Sequence, residues 1–476
     1  MNKMISLLKK EFVLTEKDEK TNVLLPFEVN EDLTQLCIEY SYSPKTLEDA
    51  EITKEKVKKN IQTDAPFNVS DYPSWESFAP LKNLITLSLD SPLGYLGAAH
   101  RQAPQQKHII SKEYSSVGFE RTEIEKGKWC LTLNVHAIVT EKVEFSVVIW
   151  GKNETRMNWF PCELHCHTMH SDGDFSVSEL IETAKQRKLK GICLTDHNTM
   201  SGHRETKSEK ELTILCGIEW TTYFGHMLVL DCSKYVDWRD AHVDTIDEKI
   251  KSVHEAGGVV GMAHPFQLGT PICTGGHWDY NIKDFSGVNY MEIWSEGAPY
   301  MNSPNIRARE LWHEKLSQGY HIAPTMGRDW HRPINNQLQG ACTWLLCKGE
   351  RLTAEKMKKA IIEGRTSISA GPLFFFETDK GETVGDEIEE GKRVFNFTVD
   401  SERFDSMNLD YEIEAQKIVI LTNNMQTVSQ TDITHKSVEL CLKKGYYTAE
   451  LYGKVGKKEN ELIAFTAPIY VKEKEI

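Results

Sequence analysis

No stretch of the 476 residues runs ~18 positions without a polar interruption, so no membrane-spanning helix and no membrane partner is expected. The opening MNKMISLLKKEF holds one short apolar run, Met4 to Leu8. A secretory signal needs a longer run, placed after its basic residues and not before them. Positive charge is in deficit, with 56 Lys and Arg against 70 Asp and Glu and a formal net charge of −14. Affinity for a phosphate backbone comes largely from Lys and Arg, so no nucleic-acid partner is expected. A small phosphorylated molecule needs only local positive charge or metal and stays admissible. The 11 cysteines are odd in number and form no CxxC pair, which indicates neither a disulfide framework nor a zinc ribbon. Free thiols in a reducing cytoplasm are the simpler reading. There is no GxSxG elbow and no P-loop, so neither an activated serine nor a phosphate-cradling loop is on offer.

What is present changes character along the chain. Residues 1–157 read as a β-rich domain, with strand-like KWCLTLNVHAIV and VEFSVVIWG and a polar stretch near 46–75 of loop or short helix. From 158 to 370 strand-like and helix-like runs alternate. CELHCHT is followed by SVSELIETAKQRKLKG, which Ser176 or Ser178 caps, then ICLTDHN, VDTIDEKIKSVHEAGG and VVGMAHP. VNYMEIW, SPNIRARELWHEKLSQG and HIAPTMGRDWH continue the series, which argues for an α/β unit built on a parallel sheet. Residues 371–476 turn β-rich again and predict a sandwich-like third domain, with Phe374, Phe375 and Phe376 in its core or at its interface.

Histidine is concentrated where the alternation is. Thirteen of the 17 fall between residues 165 and 331. His165 and His167 alternate on a strand and share a face. Asp172 follows in the loop, Asp196 and His197 close ICLTDH, Glu219 closes TILCGIE, His226 opens HMLVLD, His264 closes VVGMAH, and Asp329 and His331 close APTMGRDWH. In a parallel barrel the strand ends gather on one face, so these residues are expected to converge there. Imidazole and carboxylate without thiolate suit Zn, Mn or Fe. A carboxylate that bridges two ions is expected, and Glu219 is the candidate. Two or three such ions can hold a phosphoryl group, generate an attacking hydroxide and stabilise the leaving oxygen.

The remaining polar candidates are weaker. His170 is a candidate for supporting the ligands or steering substrate, and His277, in TGGHW, for a substrate loop. Glu292, which ends the apolar strand MEIW, is a candidate for supporting the ligands from behind. Arg328 and Arg365 offer forks that match phosphate or carboxylate. Cys166 lies between the two histidines of HCH and points to the opposite face, into the core. His203, His242, His254, His313 and His321 read as structural or solvated.

ELHCHTMHSDG, LTDHNTMSGH, GIEWTTYFGHMLVL, MAHP and GRDWH together resemble a PHP-domain (polymerase and histidinol phosphatase) metallohydrolase over about residues 160 to 335. EKGKWCLTL, EIWSEG and AIIEGRTSISAGP extend a looser resemblance to the CehA/McbA-type branch, in which β-rich flanks surround the PHP core. The resemblance implies a distorted (β/α)7 barrel with two or three divalent ions. It implies His165, His167, Glu219 and Asp329 on a first ion, Glu219, His226 and His264 on a second, and Asp172, His197 and His331 on a third. Arg328 and Trp330 depart from it, since small residues are usual beside the aspartate, and they are expected to narrow the pocket or touch substrate.

The expected activity is hydrolysis of a small phosphate ester by a metal-bridging hydroxide, with Asp329, His197 and His331 as catalytic residues. The alternatives are a carboxylic or carbamate ester hydrolase using the same ions and a non-catalytic metal-binding module between β-rich binding domains.

Overall fold

The computed structural model describes residues 3–63, 74–153, 156–207, 211–268, 277–297, 302–333 and 339–474. The chain divides into two compact units, Met1–Arg156 and Met157–Ile476. Residue 371, the expected start of a third domain, lies inside the second unit.

The first unit is β-rich. One four-stranded antiparallel sheet runs in the order Lys3–Leu14, Val143–Asn153, Gln35–Ser43, Gln105–Ser111; the other runs Thr21–Val29, Gly127–Ala137, Leu84–Ser91, Gly94–Ala99. Both obey period 2. In VEFSVVIWG, Val143, Phe145, Val147 and Ile149 are buried while the residues between them are at least partly exposed. They join Leu36 and Ile38 of their own sheet and Leu87, Leu89, Leu131 and Leu133 of the other in one core. The helix expected near 46–75 is Ala50–Thr63, and Asp49 accepts from the backbone N–H groups of Glu51 and Ile52 at its start. The rest of that stretch, from 64 to 73, lies outside the described residues.

The second unit is mixed α/β and rich in sheet. Its first seven strands are β1 (Met157–Cys166), β2 (Gly191–Leu194), β3 (Thr213–Thr221), β4 (His226–Leu230), β5 (Val259–Met262), β6 (Tyr290–Ser295) and β7 (Ala323–Gly327), paired in that order. β2, β4, β5, β6 and β7 are buried along their whole length, and β1 and β3 over most of theirs, as strands covered on both faces are. β1, β2 and β3 run parallel, and so do β5, β6 and β7. β4 is antiparallel to both neighbours, which corrects the all-parallel expectation. Only four residues, 222–225, separate β3 from β4, too few for a crossover, so the chain turns back as a hairpin.

Helices α1 (Val177–Gln186), α2 (Ile246–Glu255) and α3 (Ser303–Ser317) make the β1–β2, β4–β5 and β6–β7 connections, and α4 (Ala354–Ile362) follows β7; the β2–β3 and β5–β6 links hold no α-helix among the described residues. Ser176, not Ser178, caps α1. Its hydroxyl accepts from Glu179 N, while Glu179 Oε2 accepts from Ser176 N at 2.8 Å, a reciprocal capping box.

On its other edge β1 pairs antiparallel with β8 (Cys342–Lys348), then β9 (Thr366–Ser369), and the sheet continues into the C-terminal strands. Among the described residues no ladder joins β7 to β1. Just beyond β7, however, Trp330 N donates to His165 O at 3.1 Å and His167 N donates to Trp330 O at 3.0 Å. This parallel bridge ties the end of the seventh strand to the end of the first. Phe374 and Phe376 are fully buried in the C-terminal core with Phe395, Phe397 and Ile463. Phe375 lies against Trp159.

Candidate metal centre

The strand ends bring the histidines and carboxylates together. His165 and His167 come from the end of β1, Glu219 from β3, His264 and Asp329 from just past β5 and β7. His226 joins them because β4 runs the other way, so its first residue lies at the end where parallel strands place their last.

Glu219 is at the middle. Its Oε2 lies 3.3 Å from His165 Nε2, 3.4 Å from His167 Nε2 and 2.9 Å from His197 Nδ1. Its Oε1 lies 3.0 Å from His226 Nδ1 and 3.2 Å from His264 Nε2. Five imidazoles thus surround one fully buried carboxylate. Asp329 Oδ1 lies 3.0 Å from His167 Nε2 and 3.4 Å from His165 Nε2. At the open side Asp172 Oδ1 lies 3.3 Å from His197 Nε2 and 3.2 Å from His331 Nε2. His167 stacks between His197 and His331, with ring centroids 4.2 Å away on each side.

The ligand-type atoms fall into adjoining groups: His165, His167, Glu219 and Asp329; Glu219, His226 and His264; and His167, Asp172, His197 and His331. All nine expected residues are present, and His167 reaches the third group as well as the first. His165, His264 and Glu292 form a fourth group, whose contacts are hydrogen bonds. Glu292 Oε1 accepts from His165 Nδ1 at 2.9 Å and Oε2 accepts from His264 N at 3.0 Å. With Nδ1 committed, the neutral form of the His165 ring would present its Nε2 lone pair to a cation held with Glu219 and Asp329. His331 is oriented alike, since its Nδ1 donates to Asp329 O at 2.7 Å.

Divalent cations fit this set. His165 Nε2, His167 Nε2, Glu219 Oε2 and Asp329 Oδ1 are buried without a hydrogen-bond partner, and all four belong to one group. Each such atom costs about 1–3 kcal/mol if left unsatisfied. The proton balance shows the same tension. Burial lowers the His165 pKa, but Glu292, Glu219 and Asp329 outweigh it and hold the ring well above its ordinary value. His167 is raised to about 9, its burial overcome by Asp329 and Glu219. Burial raises the Glu219 pKa, but His165, His167 and His197 hold it well below the usual carboxylate range. A set that holds protons this tightly between imidazole and carboxylate is one that cations can occupy in their place.

The structure gives several of the weaker candidates partners of their own. Arg328 lines the cleft beside the ligand groups but turns its guanidinium inward. It is buried, with Nε 3.1 Å from Glu163 Oε2 and Nη2 donating to Gln339 O at 2.8 Å and Ala341 O at 2.7 Å. Trp330 is 3% exposed and lies between the Arg187 and Arg328 guanidinium groups, 5.0 and 5.5 Å from its ring centre. It anchors the segment carrying Asp329 and His331. Arg365 ion-pairs with Asp386 at 2.6 Å and donates to Val384 O, a structural role. His170 bonds Ser201 and Glu205, and His277 lies 3.7 Å from Asp279; neither enters a ligand group.

Asp196 also stays outside the groups. It is buried and accepts from Thr168 N at 2.7 Å and Ser171 Oγ at 2.9 Å, which latches the loop that carries Asp172. The residue overlooked in the sequence is Glu163, which accepts from Arg328 N and His165 N. Its signal was period 2. Glu163, His165 and His167 share one face of β1.

Residues 163–286 match the PHP domain model. A 125-residue segment is 34% identical to an uncharacterized protein of Methanocaldococcus jannaschii, covering 23% of this chain and 69% of that one. A two-domain protein of Bacteroides vulgatus, described as containing a predicted PHP-like metal-dependent phosphoesterase, overlaps with a TM-score of 0.36 at 14% identity, over 66% of this chain and 96% of that one. An amidohydrolase from Chromobacterium violaceum, with bound sulfate and no metal, overlaps with a TM-score of 0.27 at 14% identity, over 42% and 96%. Both overlaps are loose, and kinship rests on the sequence matches.

Proposed function

Because the chain belongs to the PHP-domain family, we propose that it is a metal-dependent hydrolase and that its substrate is a small phosphate ester. The observation that carries this reading is Glu219, a buried carboxylate with five imidazoles within 3.4 Å. No structural role needs that arrangement, whereas a carboxylate shared between ions does. His165, His167, Glu219 and Asp329 would hold one ion, Glu219, His226 and His264 a second, and Asp172, His197 and His331 a third. The seven strands, joined from β7 back to β1 at Trp330, are read as the distorted barrel of this family, and the β-rich segments around it favour the CehA/McbA-type branch.

Bound divalent ions of the Mn, Zn or Fe kind supply Lewis acidity toward the phosphoryl group and acidify water near neutral pH. The chain's own groups do the rest. Asp329 stays ionised, because His165 and His167 outweigh the effect of its burial. It is placed to orient the nucleophile's proton. His197 and His331 flank Asp172 at the open side, and with it they would hold the ion that stands toward the leaving oxygen. Glu292 fixes the tautomer of His165.

Purified protein loaded with Mn²⁺ or Zn²⁺ should cleave p-nitrophenyl phosphate, and chelation or Asp329→Ala should abolish this. Turnover that survives both treatments would sink the proposal. A carboxylic or carbamate ester is the competing substrate. Naphthyl phosphate assayed beside naphthyl carbamate separates the two, and phosphate turnover at or below carbamate turnover would reverse the assignment.

A further inference from the structure

Beside the ligand groups lies a cleft of about 550 Å³. Asp172, Asp329 and His331 form its metal side; Glu296, Gly297, Arg328, Trp330, Arg332 and Gln339 line the rest. That second wall carries amide, carboxylate and guanidinium groups beside apolar surface. The aromatic residue at the cleft, Trp330, is committed to the core between two guanidinium groups.

The wall is also oriented. Arg328 Nη1 donates to Gln339 Oε1 at 3.2 Å. The Gln339 carbonyl end is thereby taken, which leaves the –NH₂ end as the available donor. Arg328 can fix Gln339 because it is itself held by Glu163, Gln339 O and Ala341 O. The contact also needs residue 297 to lack a side chain, since a Cβ there would collide with both Arg328 Nη1 and Gln339 Oε1. Glu296 precedes it at φ 122°, a backbone region that residues with a Cβ rarely enter. Its N–H is tied to Gly327 O at 3.1 Å, while its carboxylate makes no hydrogen bond to another described residue. A fixed donor pair and an open acceptor therefore face one cleft next to the candidate reaction centre.

We infer that this wall is a subsite for the leaving group of a phosphate ester whose alcohol carries further hydroxyl groups, with Gln339 donating to one hydroxyl and Glu296 accepting from another. The inference rests on the phosphoesterase reading and narrows it. An aryl leaving group would desolvate both polar groups and return no hydrogen bond. Arg328 is a positioning residue, acting through Gln339.

Two non-hydrolysable probes test it on the metal-loaded, full-length protein by titration calorimetry: 2,3-dihydroxypropylphosphonate and phenylphosphonate. The wild type should bind the hydroxylated probe at least tenfold more tightly. Gln339→Leu and Glu296→Ala should each cut that preference about tenfold. Gly297→Ala removes no polar group and should do the same by displacing Gln339. Elemental analysis should give wild-type metal content in all three, which a general loosening of the site would not. A wild-type preference for phenylphosphonate, or a preference unchanged in the three variants, overturns this inference and leaves the phosphoesterase reading standing. A wild type that binds neither probe overturns both.

Discussion

The inner and outer parts of the candidate centre are built differently. Around Glu219 nearly everything is sealed: His165, His167 and Glu219 side chains are fully buried, and Glu292 supports two of the histidines from behind. Around Asp172 the side chains are open, with 64% exposure for Asp172 and about a fifth for His197 and His331. Asp172 lies on a loop latched by Asp196, whereas Glu219 lies on a central strand. The inner part is preorganised by the sheet, and the outer part is held by a loop and by stacking on His167. On the proposed reading, ions of unequal affinity are expected, the inner ones tight and the outer one exchangeable.

The comparison breaks most visibly at Glu219. Glu219→Gln removes the charge shared by two groups and should empty the inner positions. Turnover should fall at least about a thousandfold, roughly 4 kcal/mol of barrier. Elemental analysis beside the assay checks it. Retention of full metal content would mean that Glu219 bridges nothing. Asp172→Asn should act on the outer position alone, with one ion equivalent lost, the inner ions kept and turnover down about a hundredfold, roughly 3 kcal/mol. If Asp172→Asn empties the whole centre, inner and outer parts are one unit and the contrast is false.

Glu292→Gln asks whether the inner part owes its rigidity to the carboxylate behind it. The amide keeps one acceptor oxygen and turns an NH2 toward the other donor, so one of the two bonds, to His165 Nδ1 or His264 N, is lost; this should weaken metal binding about 10–100-fold while the fold persists. Chelator competition measures this, and an unchanged affinity would assign Glu292 to packing.

Much of this centre was legible because chemistry and periodicity coincide in it. His165 and His167 sit two apart on a strand, and Glu219, His264 and Asp329 each follow an apolar run too short for a helix. Strand ends converge whatever the details of closure, so distant residues were assigned to one site without a topology. Roles that depend on side-chain direction were not legible. Asp196 and Asp172 are both loop aspartates after strands, yet one latches a loop and the other faces two imidazoles. Arg328 read as an anion anchor because its partner, Glu163, is 165 residues away. The hairpin that reverses β4 was hidden too, since HMLVL reads the same in either direction, although the short 222–225 connection marks it.

A smaller effect concerns pH. The metal-free His167 has its pKa raised from 6.5 to about 9. Sign follows from that direction. Protonated His167 stabilises the metal-free fold fully below about 6.5, and the contribution is lost as pH rises through about 9. Metal competes for the same nitrogen, so binding at pH 7 should expel protons, and affinity should climb up to about tenfold per pH unit for each proton displaced, levelling off near pH 9. Calorimetry in two buffers of different ionisation enthalpy reads the proton count. A count of zero at pH 7 would mean that the inner histidines are already neutral.

The smallest effect is expected at His277, and it sharpens the contrast from outside. His277 follows His264 by 13 positions in sequence, but its side chain is 44% exposed and it lies 3.7 Å from Asp279, itself 58% exposed. An ion pair this open contributes little, because water and salt screen it. His264, by contrast, is buried against Glu219 at 3.2 Å. His277→Ala should leave metal content unchanged and shift KM by less than about twofold, whereas His264→Ala should release metal. A tenfold rise in KM on His277→Ala would show that substrate extends past the ligand groups to this loop, and the reach of the centre would then be set by the loop after β5 as well as by the cleft at Gln339.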